Sequence, residues 1–431
     1  MKKYIINFNW LFLEKIIKIF GGLFIGIWVA RYLGPHDFGV LSYALAFIAF
    51  FSWASHLGLN QIVVRELTKY PEKRDNILGS AFFMKLVGAI VSVMLISVTI
   101  SFIKPEDELI RLVVFIVSLC YIFQVFDVLE FYYQAKVQSK YTSIAKNIAF
   151  LISSILQVYF ILSEKSIIYF AIVNVVNMFF SGVFLVYLYK KLGFNIKSWR
   201  YDNAMAKELI KYSWPLMISS FLINIHLKID QLMIEHYLGM ENVGLYSVAV
   251  KLAESWYFVP LIIVSTLMPY FVKLRENNNK LYHYRLVQLY FGMFWLGVSV
   301  ALLTQLIGED AIVLLFGEEY RNSFAALALN IWAGIFVAQS AAKGIWDISE
   351  NLQLYRIVSN SVAIVINVLG NIIMIPLYGI MGAAIATLIT RVFNNWITPM
   401  FIKAYRQNTI ESIKAINPLY VYSQRRKVND Q

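Results

Sequence analysis

Long apolar runs recur along this chain, and almost every one carries a lysine or an arginine in its interior. A bilayer crossing needs about 20 mainly apolar residues. Here 59% of 431 residues are hydrophobic, mean hydropathy is +0.63 and only 15% of residues are charged, far greasier than a soluble globule requires. Lipid offers the backbone no hydrogen bonds, so such spans must be helices. A charge at membrane depth costs roughly 2.5–3.5 kcal/mol on insertion scales and faces a protein interior or a water-filled cavity. Lys15, Lys18, Lys85, Lys146, Lys228, Lys251, Lys343 and Arg391 all interrupt the runs. Apolar spans with a mainly cationic interior point to a transporter for something anionic.

The pattern predicts an all-α integral membrane protein with twelve transmembrane helices. They fall near 10–31, 38–59, 78–103, 109–133, 141–162, 166–188, 214–238, 244–270, 285–307, 322–346, 355–377 and 380–402. With the N-terminus inside, 25 of the 38 Lys and Arg fall on inside segments and five on outside connections, the remaining eight lying within spans. This bias places both termini in the cytoplasm. The net charge of +12 then reflects topology and attraction to anionic lipids, not nucleic acid. The start, MKKYIINFNWLFLEKIIKIF, has the outline of a signal peptide, but Glu14, Lys15 and Lys18 interrupt it. An uncleaved first helix is expected.

The middle of the chain divides it. Residues 189–213 carry Trp199, Met205, Leu209 and Tyr212 among lysines and arginines, which predicts a short amphipathic helix on the cytoplasmic leaflet. That gives an N-terminal six-helix lobe over 1–188, a linker over 189–213, a C-terminal six-helix lobe over 214–402 and a basic cytoplasmic tail over 403–431. An internal repeat supports two lobes. Residues 29–47, VARYLGPHDFGVLSYALAF, align without gaps to 234–252, IEHYLGMENVGLYSVAVKL. Tyr32, Leu33, Gly34, Gly39, Ser42 and Ala44 match Tyr237, Leu238, Gly239, Gly244, Ser247 and Ala249. Six helices separate the copies, so the two lobes are parallel repeats around a central cavity. The plainer reading is that Leu-Gly-x-x-x-x-Gly is a common turn between spans.

Enzyme chemistry is missing. No stretch fits a P-loop, an H-E-x-x-H site or a G-x-S-x-G elbow, and five scattered histidines have no metal spacing. Cys120 is the single cysteine, so no internal disulfide or thiolate cluster can form. No catalytic residue, metal ligand or cofactor is expected, and transport against a gradient would need an ion gradient or a partner ATPase.

Depth ranks the buried charges. At 1.5 Å per residue, Lys15, Lys146 and Lys343 lie within roughly 10 Å of the cytoplasmic ends of their spans, and Lys85 lies about that deep. Lys228 and Arg391 lie some 16–21 Å in and reach neither surface. These two are the strongest candidate ligands for an anion, with Lys15, Lys18 and Lys85 lining the inward approach. Asp127, Asp230 and Glu254 are the carboxylates expected at ion coupling. Each has a structural alternative. Glu14 and Lys18 can pair at i, i+4, and Lys251 and Glu254 at i, i+3. Asp127 and Glu130 can pair with Lys85 or Lys146, and Asp230 with Lys251 or Arg391.

WLFLEK followed by VARYLGPHDFGVLSYALAFIAFFSWASHLGLNQIVVREL resembles the start of the Wzx-type polysaccharide repeat-unit (O-antigen) flippases, within the multidrug/oligosaccharidyl-lipid/polysaccharide exporter superfamily. FDVLEFYYQAKVQSKYTSIAK, WPLMISSFLINIHLKIDQLMI, LLFGEEY and IPLYGIMGAAIATLI are similar to later stretches, so the resemblance covers 10–402. It implies a two-lobe, twelve-helix fold that moves an undecaprenyl-pyrophosphate-linked oligosaccharide from the cytoplasmic to the outer leaflet of the bacterial plasma membrane by alternating access. Partners implied are that glycan lipid, membrane lipids, a polysaccharide polymerase and a chain-length regulator. Arg31, in VARYLG, resembles a basic position of the related lipid II flippases and is a further pyrophosphate candidate; its plainer reading is an interfacial arginine. Two rival functions stand beside this one. A cation-coupled multidrug exporter would carry an acidic excess in its spans, and a glycan polymerase or ligase would need catalytic residues on longer outside loops.

Overall fold

The computed structural model describes residues 2–350 and 352–429; side chains at 2–6, 8, 9, 353–357 and 425–429 are outside that description. Helices are the only regular secondary structure among the described residues, and the chain forms two compact units, Met1–Leu232 and Met233–Gln431.

The first unit contains α1 (Lys2–Phe50), α2 (Ser52–His56), α3 (Leu59–Lys69), α4 (Arg74–Ile103), α5 (Glu108–Ser118), α6 (Cys120–Phe123), α7 (Val128–Ala135), α8 (Ser139–Leu162), α9 (Ile167–Lys191) and most of α10 (Asn203–Leu238). At 1.5 Å per residue α1 would run about 74 Å if straight, twice what a bilayer needs. It turns at Gly34, whose φ of 73° and ψ of 172° fall outside the helical region, and Pro35 restarts the helix. A positive φ of this kind suits glycine, and proline is tolerated in the first helical turn. The predicted first and second spans are therefore the two arms of one bent helix.

Two expectations are corrected here. The stretch 61–76, which lies between the second and third predicted spans and is assigned no helix by the apolar pattern, holds most of α3. Arg65, Glu66 and Lys69 lower its hydropathy, yet Leu59, Ile62, Val63, Glu66 and Leu67 recur at helical spacing and are buried. The stretch 189–213, read as a linker on the leaflet, is packed into the first unit. Gly79 lies so close to the Arg200 backbone that a Cβ would overlap it. The Arg200 N–H donates to the Asp75 carbonyl at 3.2 Å, and the Asp202 carboxylate accepts from Ala204 and Met205 at 2.9 and 3.2 Å, starting α10. Met205 and Leu209 then join a core containing Leu59, Ile77, Leu129 and Tyr189. The apolar stripe was real, but protein covers it.

The second unit contains the end of α10, then α11 (Met240–Glu254), α12 (Phe258–Asn277), α13 (Asn279–Phe316), α14 (Ser323–Ser349), α15 (Gln353–Tyr378), α16 (Ile380–Val392), α17 (Thr398–Phe401), α18 (Lys403–Lys414) and α19 (Pro418–Asn429). Five residues between α16 and α17, Phe393–Ile397, are wound as π-helix. The basic tail expected after 402 is helical and packed. Tyr405 meets Trp346 edge to face at 5.0 Å, the Tyr290 hydroxyl donates to Asn408 at 3.0 Å, and the Trp295 indole donates to the Ile416 carbonyl at 3.2 Å.

Ten segments of the described residues are long and apolar enough to cross a membrane. The first, Trp10–Phe50, holds two spans because of its bend. α10 is not among the ten, since Asn224, His226, Lys228, Asp230 and Gln231 sit in its middle. Counting it gives the twelve expected.

Candidate functional site

In the first unit, most buried charges are neutralised by one another. Lys18 donates to Glu14 at 2.8 Å, one turn apart on α1. Lys146 on α8 forms an ion pair with Glu130 on α7. Lys85, only 1% exposed on α4, donates to the Gln124 carbonyl at 3.2 Å and sits 5.3 Å from the centre of the Phe131 ring. Asp127 and Glu130 lie within electrostatic reach of it. Three carboxylates thus face three ammonium groups across α1, α4, the fourth span and α8. Lys18 and Lys85, nominated as phosphate ligands, are committed to protein partners. Burial leaves Lys85 no surface to offer a substrate.

The deeper cations are different. Lys228, half-buried on α10, has no carboxylate within salt-bridge distance among the described residues, and Asp230, buried two residues on, projects elsewhere. Lys15 is exposed on α1, adjacent in sequence to the buried Glu14, and Arg31 is exposed before the bend. In the second unit, Lys251 is half-buried on α11, and no ion pair joins it to Glu254, whose side chain is exposed. Arg391, half-buried near the end of α16, lies beside Tyr257, and its buried Nε has no hydrogen-bond partner.

Attention to charge alone missed the polar surroundings of Arg391. Lys343, 4% exposed on α14, donates to the Asn395 carbonyl in the π-wound segment. The Asn395 amide donates back to the Arg391 carbonyl at 3.2 Å, and Asn394 donates to Asn360 at 3.2 Å. Elsewhere in this unit, the buried Thr390 hydroxyl and the Trp256 and Trp396 indole N–H groups have no hydrogen-bond partner among the described residues. The signal in sequence was the Asn394-Asn395 pair inside an otherwise apolar span. Buried polar groups left unpaired are costly unless something fills the site. A guanidinium whose Nε has no acceptor among the described residues suits an anionic, oxygen-rich ligand. No cluster of His, Cys, Asp or Glu able to hold a metal occurs among the described residues.

Known proteins resemble the chain at three levels. A family model described as polysaccharide biosynthesis protein matches residues 6–275. The capsular polysaccharide biosynthesis protein CapF of Staphylococcus aureus is 24% identical over 398 residues, covering 89% of this chain and 96% of CapF. Among solved structures, the lipid II flippase MurJ in an inward closed conformation superposes with a TM-score of 0.72 at 15% identity, over 96% of this chain and 90% of MurJ. An inward-facing multidrug resistance transporter of the MATE family, from the MOP superfamily, gives a TM-score of 0.62 at 14% identity, over 95% and 99%. Both likenesses concern the fold.

Proposed function

The chain belongs to the polysaccharide biosynthesis protein family, and on that premise we propose that it flips a diphosphate-linked oligosaccharide lipid from the cytoplasmic to the outer leaflet of a bacterial plasma membrane. The lipid is an undecaprenyl pyrophosphate carrying one polysaccharide repeat unit. Both termini lie in the cytoplasm, and the two six-helix halves, over 1–188 and 214–402, alternate access by rocking. A polymerase and a chain-length regulator take the product on the far side.

One observation supports this reading above the rest. The shallower span cations Lys18 and Lys146 are paired with carboxylates, whereas the deepest, Lys228 and Arg391, are not. An uncompensated charge at that depth is retained only for a purpose. Arginine's fork fits phosphate oxygens, and lysine supplies a compact point charge. Positive charge not held in a salt bridge at Lys228 and Arg391 disfavours a cationic drug as cargo. Lys15 and Arg31 serve the approach and exit of the head group.

The experiment is direct. Lys228→Ala and Arg391→Ala, expressed in cells whose own gene is deleted, should abolish surface polysaccharide while the protein remains in the membrane. Wild-type polysaccharide in both variants would remove the assignment.

A further inference from the structure

The fourth span is broken where Lys85 meets it. α6 ends at Phe123, a tight 3₁₀ turn runs over Gln124–Asp127, and α7 begins at Val128. In an α-helix the Val128 N–H would close on the Gln124 carbonyl, but here it turns to Val125 and Phe126. The 3₁₀ turn keeps the Gln124 carbonyl bonded within the turn at i→i+3 and tilts it outward, so its second lone pair is open to Lys85 about 16 Å from the cytoplasmic end of the span. Discontinuous helices whose carbonyls are freed at membrane depth are how transporters build sites for small cations.

Here the cation position is filled from within. The Lys85 ammonium takes the Gln124 carbonyl at 3.2 Å and the Phe131 ring face at 5.3 Å, with the Asp127 carboxylate as counter-charge in reach. Carbonyl oxygen, carboxylate and aromatic face are the donor set of a monovalent cation. The neighbouring charges cannot substitute for Lys85, because Lys146 is held by Glu130 and Lys18 by Glu14. His56, also within electrostatic reach of Lys85 and Asp127, is tied through Nδ1 to the Ser52 carbonyl at 2.8 Å. α9 carries no charged residue before its last two positions and packs Gly182 against Phe126, and on α3, which packs on α4 and α7, the buried Glu66 is held by Arg65.

We propose that the break in the fourth span is a monovalent-cation site that the chain occupies with its own Lys85 ammonium, so that this unit takes no sodium or potassium ion from solution. Removing the ammonium should open a vacancy that an external cation can enter.

The test uses purified full-length protein and reads thermal unfolding, independently of flipping, so its failure leaves the transport reading untouched. Sodium, potassium and methylammonium chloride are titrated into wild type and Lys85→Ala, with choline chloride matching ionic strength. The midpoint of Lys85→Ala should rise saturably, on the order of 5 °C near a hundredfold excess over Kd, with at least one small cation. Wild type should not respond beyond choline. Lys85→Ala combined with Asp127→Asn should melt higher than Lys85→Ala in choline and lose the response. If Lys85→Ala does not fold, Lys85→Met with and without Asp127→Asn replaces it, and the second change should restore folded yield. No cation response in Lys85→Ala, an equal response in wild type, or no recovery with Asp127→Asn would overturn the proposal.

Discussion

The Lys343 ammonium donates to the Asn395 carbonyl within the π-wound segment of the last span. A π-turn displaces carbonyls from the helical ladder, and π-bulges concentrate at functional sites. Both partners are 4% exposed, so the carbonyl has no water to fall back on. Lys343→Met should lower stability by about 1–3 kcal/mol, the cost of a buried unpaired polar group. Lys343→Arg should recover part of the loss. Chemical denaturation of the detergent-solubilised variants measures both.

Gly34 and Gly239 occupy matching places in the internal repeat and have nearly the same backbone, φ 73° and ψ 172° against φ 82° and ψ 177°. Each turns the chain between two spans. Space around Gly239 is open, so a methyl group there meets no neighbour and only the backbone resists. Gly239→Ala should cost about 1–3 kcal/mol, the cost of holding an L-residue in an extended, positive-φ conformation that essentially only glycine adopts. Unfolding midpoints of Gly239→Ala and Gly34→Ala should fall, and an unchanged midpoint for Gly239→Ala would contradict the account of the bend.

Between α13 and α14, Arg321 bonds the carboxylates of Glu318 and Glu309 on the protein surface. The hydrogen bond from Arg321 holds the Glu318 carboxyl below the usual range. A lowered folded-state pKa means that the contribution is complete above the ordinary glutamate value of about 4.3 and drains away as pH falls through the lowered one. Amide exchange over 317–322, corrected for intrinsic rates, should therefore be flat from pH 7 to about 5 and accelerate only below about 4. Arg321→Gln should abolish that dependence.

The sequence made the spans legible because length and hydropathy are properties of single segments. Gly34 and Gly239 were legible because the repeat aligned them. What covers an amphipathic stripe is not a local property: Met205 and Leu209 read the same against lipid as against Leu59 and Tyr189. Pairing was half legible. Glu14 and Lys18 sit one turn apart on one helix, and the alternative that Glu130 pairs with a lysine on a neighbouring helix holds with Lys146, although spacing alone does not choose between Lys146 and Lys85. Lys85 was nominated for its charge, and only the broken fourth span shows why that charge is inside. Asn395 was missed because the π-turn it serves has no signature beyond two adjacent asparagines.

The central claim is that positive charge left unpaired deep in the spans carries a diphosphate head. Its most direct measurement is the flipping rate of a fluorescent polyprenyl-diphosphate oligosaccharide in proteoliposomes, read by bleaching of the label at the outer leaflet. A lost charged hydrogen bond of about 1.5–3 kcal/mol predicts that Arg391→Ala and Lys228→Ala each slow flipping on the order of 10- to 100-fold, with Lys15→Ala affected less. Flipping by both deep variants at the wild-type rate would contradict the account.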